Sequence, residues 1–180
     1  MKKLLIILCL LAIKVSAQTD RTTTIFLVRH AEKVTADPAD KDPLLTEKGQ
    51  KRAIALAKKL KRIKLAAIYS TDFQRTKLTA HPTALKNDLF VKIYDPKNLK
   101  DLAKGILEIH KGKNVLIVGH SNTVLETIEA LGGKRPITAI NDQEYDYFFT
   151  VKVATDGAVS VNMEHYGKKN SNAEGEQKMH

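Results

Sequence analysis

The apolar positions of the chain fall into short blocks that alternate in kind. Thr24-Ile25-Phe26-Leu27-Val28 and Val115-Leu116-Ile117-Val118 are continuous runs of strand formers. That is the pattern of parallel strands buried on both faces. Ala66-Ala67-Ile68-Tyr69 is another short run, and Phe90-Val91-Lys92-Ile93-Tyr94 alternates like a strand. Between these blocks the spacing changes to three and four. Ala53, Leu56, Ala57, Leu60 and Ile63 line one face of a helix that Thr46 would cap and that runs to about Lys64. Ser70-Thr71-Asp72 are capping residues for a helix through about Leu85, which Pro82 should kink or shorten. Leu99 to His110 is amphipathic, and a helix from about Asn122 stops at Gly132-Gly133. Tyr147 to Val153 and Ala158 to Met163 flank Asp156-Gly157, a hairpin signal. Strands alternating with helices predict an α/β fold: a three-layer α/β/α sandwich with a mostly parallel central sheet and a C-terminal β-hairpin.

Both ends depart from this pattern. Met1-Lys2-Lys3 is a basic start, Leu4 to Ile13 is an apolar run of ten residues, and Val15-Ser16-Ala17 puts small residues after it. This is the form of a secretory signal peptide cut after Ala17, which predicts an exported protein, periplasmic or secreted. Ten apolar residues are too few to span a bilayer, which takes about 20. From Gly167 to His180 the chain is polar and is expected to be a disordered tail. The folded domain is then residues 18–166.

Composition narrows the chemistry. The chain has 180 residues, net charge +10 and one cysteine, Cys9, which lies within the segment expected to be removed. Zinc ribbons, iron–sulfur sites and disulfide scaffolds all need more cysteines. Removing residues 1–17 takes away three lysines and leaves 27 basic against 20 acidic side chains. The excess lies in Thr46 to Lys64, which has eight basic residues against Glu47. On an amphipathic helix that is a solvated cationic face, with weak contact to an anionic surface as the functional alternative. No aromatic residues interleave for base stacking, so nucleic acid is not an expected partner.

In α/β sheets ligands bind beyond the carboxyl ends of the strands. Arg29 and His30 follow the first apolar run, Gly119 and His120 follow the fourth, and Arg75 falls in the first turn of the helix after the second. The positive end of a helix dipole disfavours an arginine in that turn, so Arg75 needs a positional reason. Four cationic or imidazole groups at one sheet edge repel one another unless an anion joins them, which is the pattern of a phosphoryl site. Adjacent residues in a strand face opposite ways, so Arg29 and His30 share a pocket only if the strand ends between them.

Leu27-Val28-Arg29-His30-Ala31-Glu32-Lys33 resembles the Arg-His-Gly signature of the histidine phosphatase, or phosphoglycerate mutase-like, superfamily, with Ala31 where glycine is usual. Leu45-Thr46-Glu47-Lys48-Gly49, Tyr69-Ser70-Thr71-Asp72-Phe73-Gln74-Arg75-Thr76 and Val118-Gly119-His120-Ser121 resemble its later motifs, in order. The resemblance implies a compact phosphomonoesterase in which His30 forms a phosphohistidine while Arg29, Arg75 and His120 grip the phosphoryl oxygens. It implies a small phosphorylated substrate, no cofactor and no metal. A metal held by His30, His120 and a carboxylate would be opposed by the two arginines. One branch of the family places an aspartate after the second histidine, where this chain has Ser121. The other branch supplies an acid after the third strand, where Asp95 is the nearest candidate, with an ordinary turn residue before Pro96 as the alternative. A mutase using the same pocket, dephosphorylation of a protein phosphohistidine or an envelope phosphate, and a non-catalytic anion binder remain open alternatives.

Overall fold

The computed structural model describes residues 22–170. The expected signal segment, residues 1–17, and residues 171–180 lie outside the described residues. In chain order the elements are β1 (Thr23–Arg29), α1 (Glu47–Lys59), β2 (Leu65–Ser70), α2 (Gln74–Asn87), β3 (Val91–Ile93), α3 (Leu99–Ile109), β4 (Asn114–Gly119), α4 (Ser121–Ala130), β5 (Tyr147–Val153) and β6 (Val159–His165).

The strands form one sheet in the order β3-β2-β4-β1-β5-β6. The pairs β1–β4, β2–β4 and β2–β3 are parallel. The pairs β1–β5 and β5–β6 are antiparallel, so the sheet is mixed. Alternation along β1 and β4 divides the core. Ile25, Leu27, Val115 and Ile117 pack with Ala103, Ile106, Val124 and Ile128 of α3 and α4. Phe26, Val28, Leu116 and Val118 pack on the other side with Leu56 and Leu60 from the α1 end and with Ala80 and Ala84 of α2. Such continuous apolar strands need both faces covered, which is why the central pair reads as unbroken hydrophobic runs.

Several expectations are corrected locally. Thr46 does cap α1, its Oγ1 accepting from the Gly49 amide at 3.1 Å, but the helix ends at Lys59 rather than near Lys64. Its cationic face is not wholly solvated, because Arg52 turns inward and is buried. Ser70, Thr71 and Asp72 do not cap α2. The cap comes from a distant loop, where Asp42 Oδ1 accepts from the Gln74 amide at 2.7 Å. Pro82 sits inside α2 without ending it. The proline forfeits one backbone bond, and burial of Thr79, Ala80, Thr83 and Ala84 along the same helix offsets that loss. The helix stops at Asp88, which adopts the left-handed conformation with φ 52°.

Residues 167–170, placed by the sequence in the tail, are held against α1. Arg52 donates to the Tyr166 and Lys168 carbonyls and to Asn170 Oδ1, at 3.0, 2.9 and 3.1 Å.

Candidate active site

β1 and β4 are parallel neighbours near the middle of the sheet, and Arg29 pairs in register with Gly119. His30 and His120 are therefore the next residues on adjacent strand ends. The His30 amide still donates to the Gly119 carbonyl at 2.9 Å. The two imidazole rings meet edge to face with centroids 5.5 Å apart. β1 ends at Arg29, so the alternation that would have separated Arg29 from His30 no longer applies. Gly119 allows this close approach: a Cβ there would lie 2.9 Å from both Thr123 Oγ1 and Tyr94 Oη.

His30 is buried, and its Nδ1 lies 2.8 Å from the Ala31 carbonyl. A carbonyl only accepts, so Nδ1 carries the hydrogen and Nε2 carries the lone pair. Burial is the main reason its pKa falls to about 3, and Arg29, His120 and Arg75 push it the same way against the Ala31 bond. His120 falls to about 4, first by burial and then through Arg75 and Arg29. Both rings are neutral at ordinary pH. A neutral imidazole with Nε2 free is the nucleophilic form.

Arg75 projects from the first turn of α2, stacks on Phe73 at 4.2 Å, and lies 3.7 Å from Asp42. Phe73 in turn meets the His120 ring edge-on at 5.2 Å. Thr79 ties this helix to the residue after His30, accepting from the Ala31 amide and donating to the Arg75 carbonyl at 2.9 and 2.7 Å. Arg29 is buried more deeply. Its Nη1 donates to the Asn141, Asp142 and Glu144 carbonyls at 2.7, 3.1 and 3.0 Å, and its plane lies 4.3 Å from the Tyr145 ring. Burial lowers the pKa of both guanidinium groups. The Nε–H groups of Arg29 and Arg75 are buried and have no acceptor among the described residues. Two buried donors without partners beside two imidazoles form a site for an oxyanion.

A cleft of about 430 Å³ opens over these rings, lined by His30, Lys33, Phe73, Arg75, His120 and Glu126 among others. Arg29 is not in its wall. Asp95 is not brought to it either. The Asp95 carboxylate accepts from the Lys97 amide at 2.9 Å and from Asn98 Nδ2 at 3.1 Å, the contacts of a turn. Glu126, from α4, is a carboxylate that does face the cleft. Among the described residues no group of three His, Cys, Asp or Glu side chains is arranged to hold a metal ion. Tyr145 and the 141–144 carbonyls escaped the sequence reading, and Thr71 and Phe73 were read only as parts of a cap and a motif, with no role of their own at the site. They lie in aperiodic segments, and the one available signal was that a buried Arg29 must find acceptors.

The sequence model of the histidine phosphatase superfamily (branch 1) matches residues 25–108. No curated protein matches the chain. The solved structures that resemble it include the protein histidine phosphatase SixA complexed with tungstate, at TM-score 0.65 and 16% identity, with 79% of this chain and 96% of that one covered. They also include a mycobacterial glucosyl-3-phosphoglycerate phosphatase, at 0.66 and 12%, covering 81% and 99%. A third is a phosphoserine phosphatase of Entamoeba histolytica in complex with 3-phosphoglyceric acid, at 0.62 and 16%, covering 82% and 98%. At these identities the likeness is one of fold.

Proposed function

We propose the following reaction for this chain, which belongs to the histidine phosphatase superfamily: metal-independent hydrolysis of a phosphomonoester through a phosphohistidine on His30, by a protein exported after cleavage behind Ala17. The observation that carries the reaction is the His30 ring, neutral and held by the Ala31 carbonyl so that Nε2 bears the lone pair.

Nε2 attacks phosphorus in line as the bond from phosphorus to the leaving group breaks, a P–O bond in a phosphomonoester or the P–N bond in a phosphohistidine. Charge on the non-bridging oxygens is met by Arg75 and His120 in the cleft wall, while the buried Arg29 guanidinium adds positive potential beside His30. Water then attacks the phosphohistidine, releasing phosphate and restoring the Nε2 lone pair.

Proton supply selects the substrate. Asp95 is engaged in its turn, and the carboxylate in the cleft wall, Glu126, is exposed on α4. The site therefore suits leaving groups that depart with little help, such as a phenolate or an imidazole. A protein phosphohistidine belongs to this class, and the structural likeness to a protein histidine phosphatase supports that choice.

Steady-state turnover by residues 18–180 in excess chelator tests the reading. Rapid release of phosphate from para-nitrophenyl phosphate and slow release from alkyl phosphates are expected. A requirement for added divalent metal, or equal rates on both substrates, would contradict it.

A further inference from the structure

The cleft's second imidazole is gripped from behind by two buried hydroxyls. Thr71, just after β2, and Thr76, in α2, are both fully buried. Thr76 Oγ1 lies 2.8 Å from the Phe73 carbonyl and 3.0 Å from the Thr71 carbonyl. It also lies 2.9 Å from Thr71 Oγ1, which in turn lies 2.9 Å from His120 Nε2.

Counting hydrogens orders this chain. A carbonyl cannot donate, so the short Phe73 contact requires the Thr76 hydrogen. The Thr71–Thr76 contact then requires the Thr71 hydrogen. Thr71 is left with only a lone pair for His120, so the ring must donate from Nε2. The reverse order would leave Thr76 Oγ1 facing two carbonyl oxygens with no hydrogen between them.

We propose that Thr71 and Thr76 are positioning residues that fix His120 as the Nε2–H tautomer, with Thr71 Oγ1 holding that hydrogen until a phosphoryl oxygen replaces it as the acceptor. The catalytic half of this rests on the phosphatase reading, whereas the tautomer does not. His30 and His120 then play opposite parts by construction. The Ala31 carbonyl leaves His30 a lone pair at Nε2, and the hydroxyl pair leaves His120 a hydrogen at Nε2. One ring attacks while the other donates.

Nitrogen-15 NMR of the histidine side chains of residues 18–180 tests the tautomer without any assay, with the His120 signal assigned by its loss in His120→Gln. The wild-type ring is expected as Nε2–H. Thr71→Val removes the acceptor and should give a mixture of tautomers. Thr76→Ala frees the Thr71 hydrogen to point at the ring and should shift His120 toward Nδ1–H. A misplaced donor costs less than a missing one, so kcat of Thr71→Val should fall between about tenfold and about a hundredfold, with KM changed less. Thr71→Ser keeps the oxygen and should restore both the tautomer and kcat. An Nδ1–H ring in the wild type overturns the proposal even if the phosphatase reading stands. So does a folded Thr71→Val whose His120 signal is unchanged. An Nε2–H ring in a protein with no turnover would instead spare the tautomer and sink the phosphatase reading.

Discussion

Burial beside arginines holds both His30 and His120 unprotonated, the state the proposed chemistry needs, at a cost that appears as pH-dependent stability. Both pKa values lie below the unfolded value near 6.5, at about 3 and about 4. Between those values and 6.5 the unfolded chain binds more protons than the folded one, so stability rises with pH across that window. The contribution is complete above about pH 6.5 and is lost progressively as the pH falls. Replacing both rings by glutamine should flatten the acid limb of a chemical-denaturation stability curve between about pH 6.5 and 4. An unchanged acid limb would mean the rings are not held neutral by the fold.

Asp95 gives a second test at this scale. Its carboxylate serves the Lys97 amide and the Asn98 side chain outside the cleft. Asp95→Asn should leave turnover of alkyl and aryl phosphates unchanged and cost about 1 kcal/mol or less in stability, as a lost turn or cap bond does. A selective loss on alkyl phosphates would restore Asp95 as the acid.

At the scale of elements, the site depends on how α1 meets the segment after His30. The Thr46 amide donates to the Glu32 carbonyl at 2.9 Å, and a methyl group on Gly49 would overlap that same carbonyl oxygen. Backbone on both sides leaves nothing to yield, so Gly49→Ala should destabilise by about 3 kcal/mol, the upper end for overpacking. Behind it, Arg52 holds the Glu32 carboxylate with Nε and Nη2 at 2.9 and 2.8 Å. Arg52→Ala would leave the buried carboxylate with the half-exposed Lys48 at 3.3 Å as its remaining ion-pair partner among the described residues, and should cost about 3 kcal/mol while freeing residues 166–170. Urea titration measures both losses, and proteolysis of the C-terminal segment reports its release.

The strands and helices were legible because their apolar periods are clean, as in Leu27-Val28 and Val115 to Val118. The α2 cap was not legible, because its partner Asp42 is distant in sequence and only the fold brings them together. The inward turn of Arg52 was hidden for the same reason. A basic residue on a basic helix gives no local sign that its acceptors are Glu32 and the 166–170 backbone.

At the scale of the whole molecule, the order β2-β4-β1 explains why residues far apart in sequence share one edge. Strand ends delivered His30 and His120, and Arg75 comes from the helix that follows the outer member of that trio. These positions could be read because each follows an apolar run. The acceptors of Arg29 could not, since residues 141–145 belong to an aperiodic connection between α4 and β5. Arg75→Ala should preserve the fold and reduce kcat/KM by ~10²–10³-fold, the usual loss for one preorganised donor to a transition state. A smaller loss would place Arg75 outside the transition-state contacts.

The central claim is covalent. Phosphorus-labelled aryl phosphate, quenched during turnover and mapped by mass spectrometry, shows where the phosphoryl group rests. A phosphoramidate on His30, labile in acid, stable in mild base and absent from an inactive His30→Ala protein, is the predicted result. Label on any other residue, or full turnover by His30→Ala, would contradict the account.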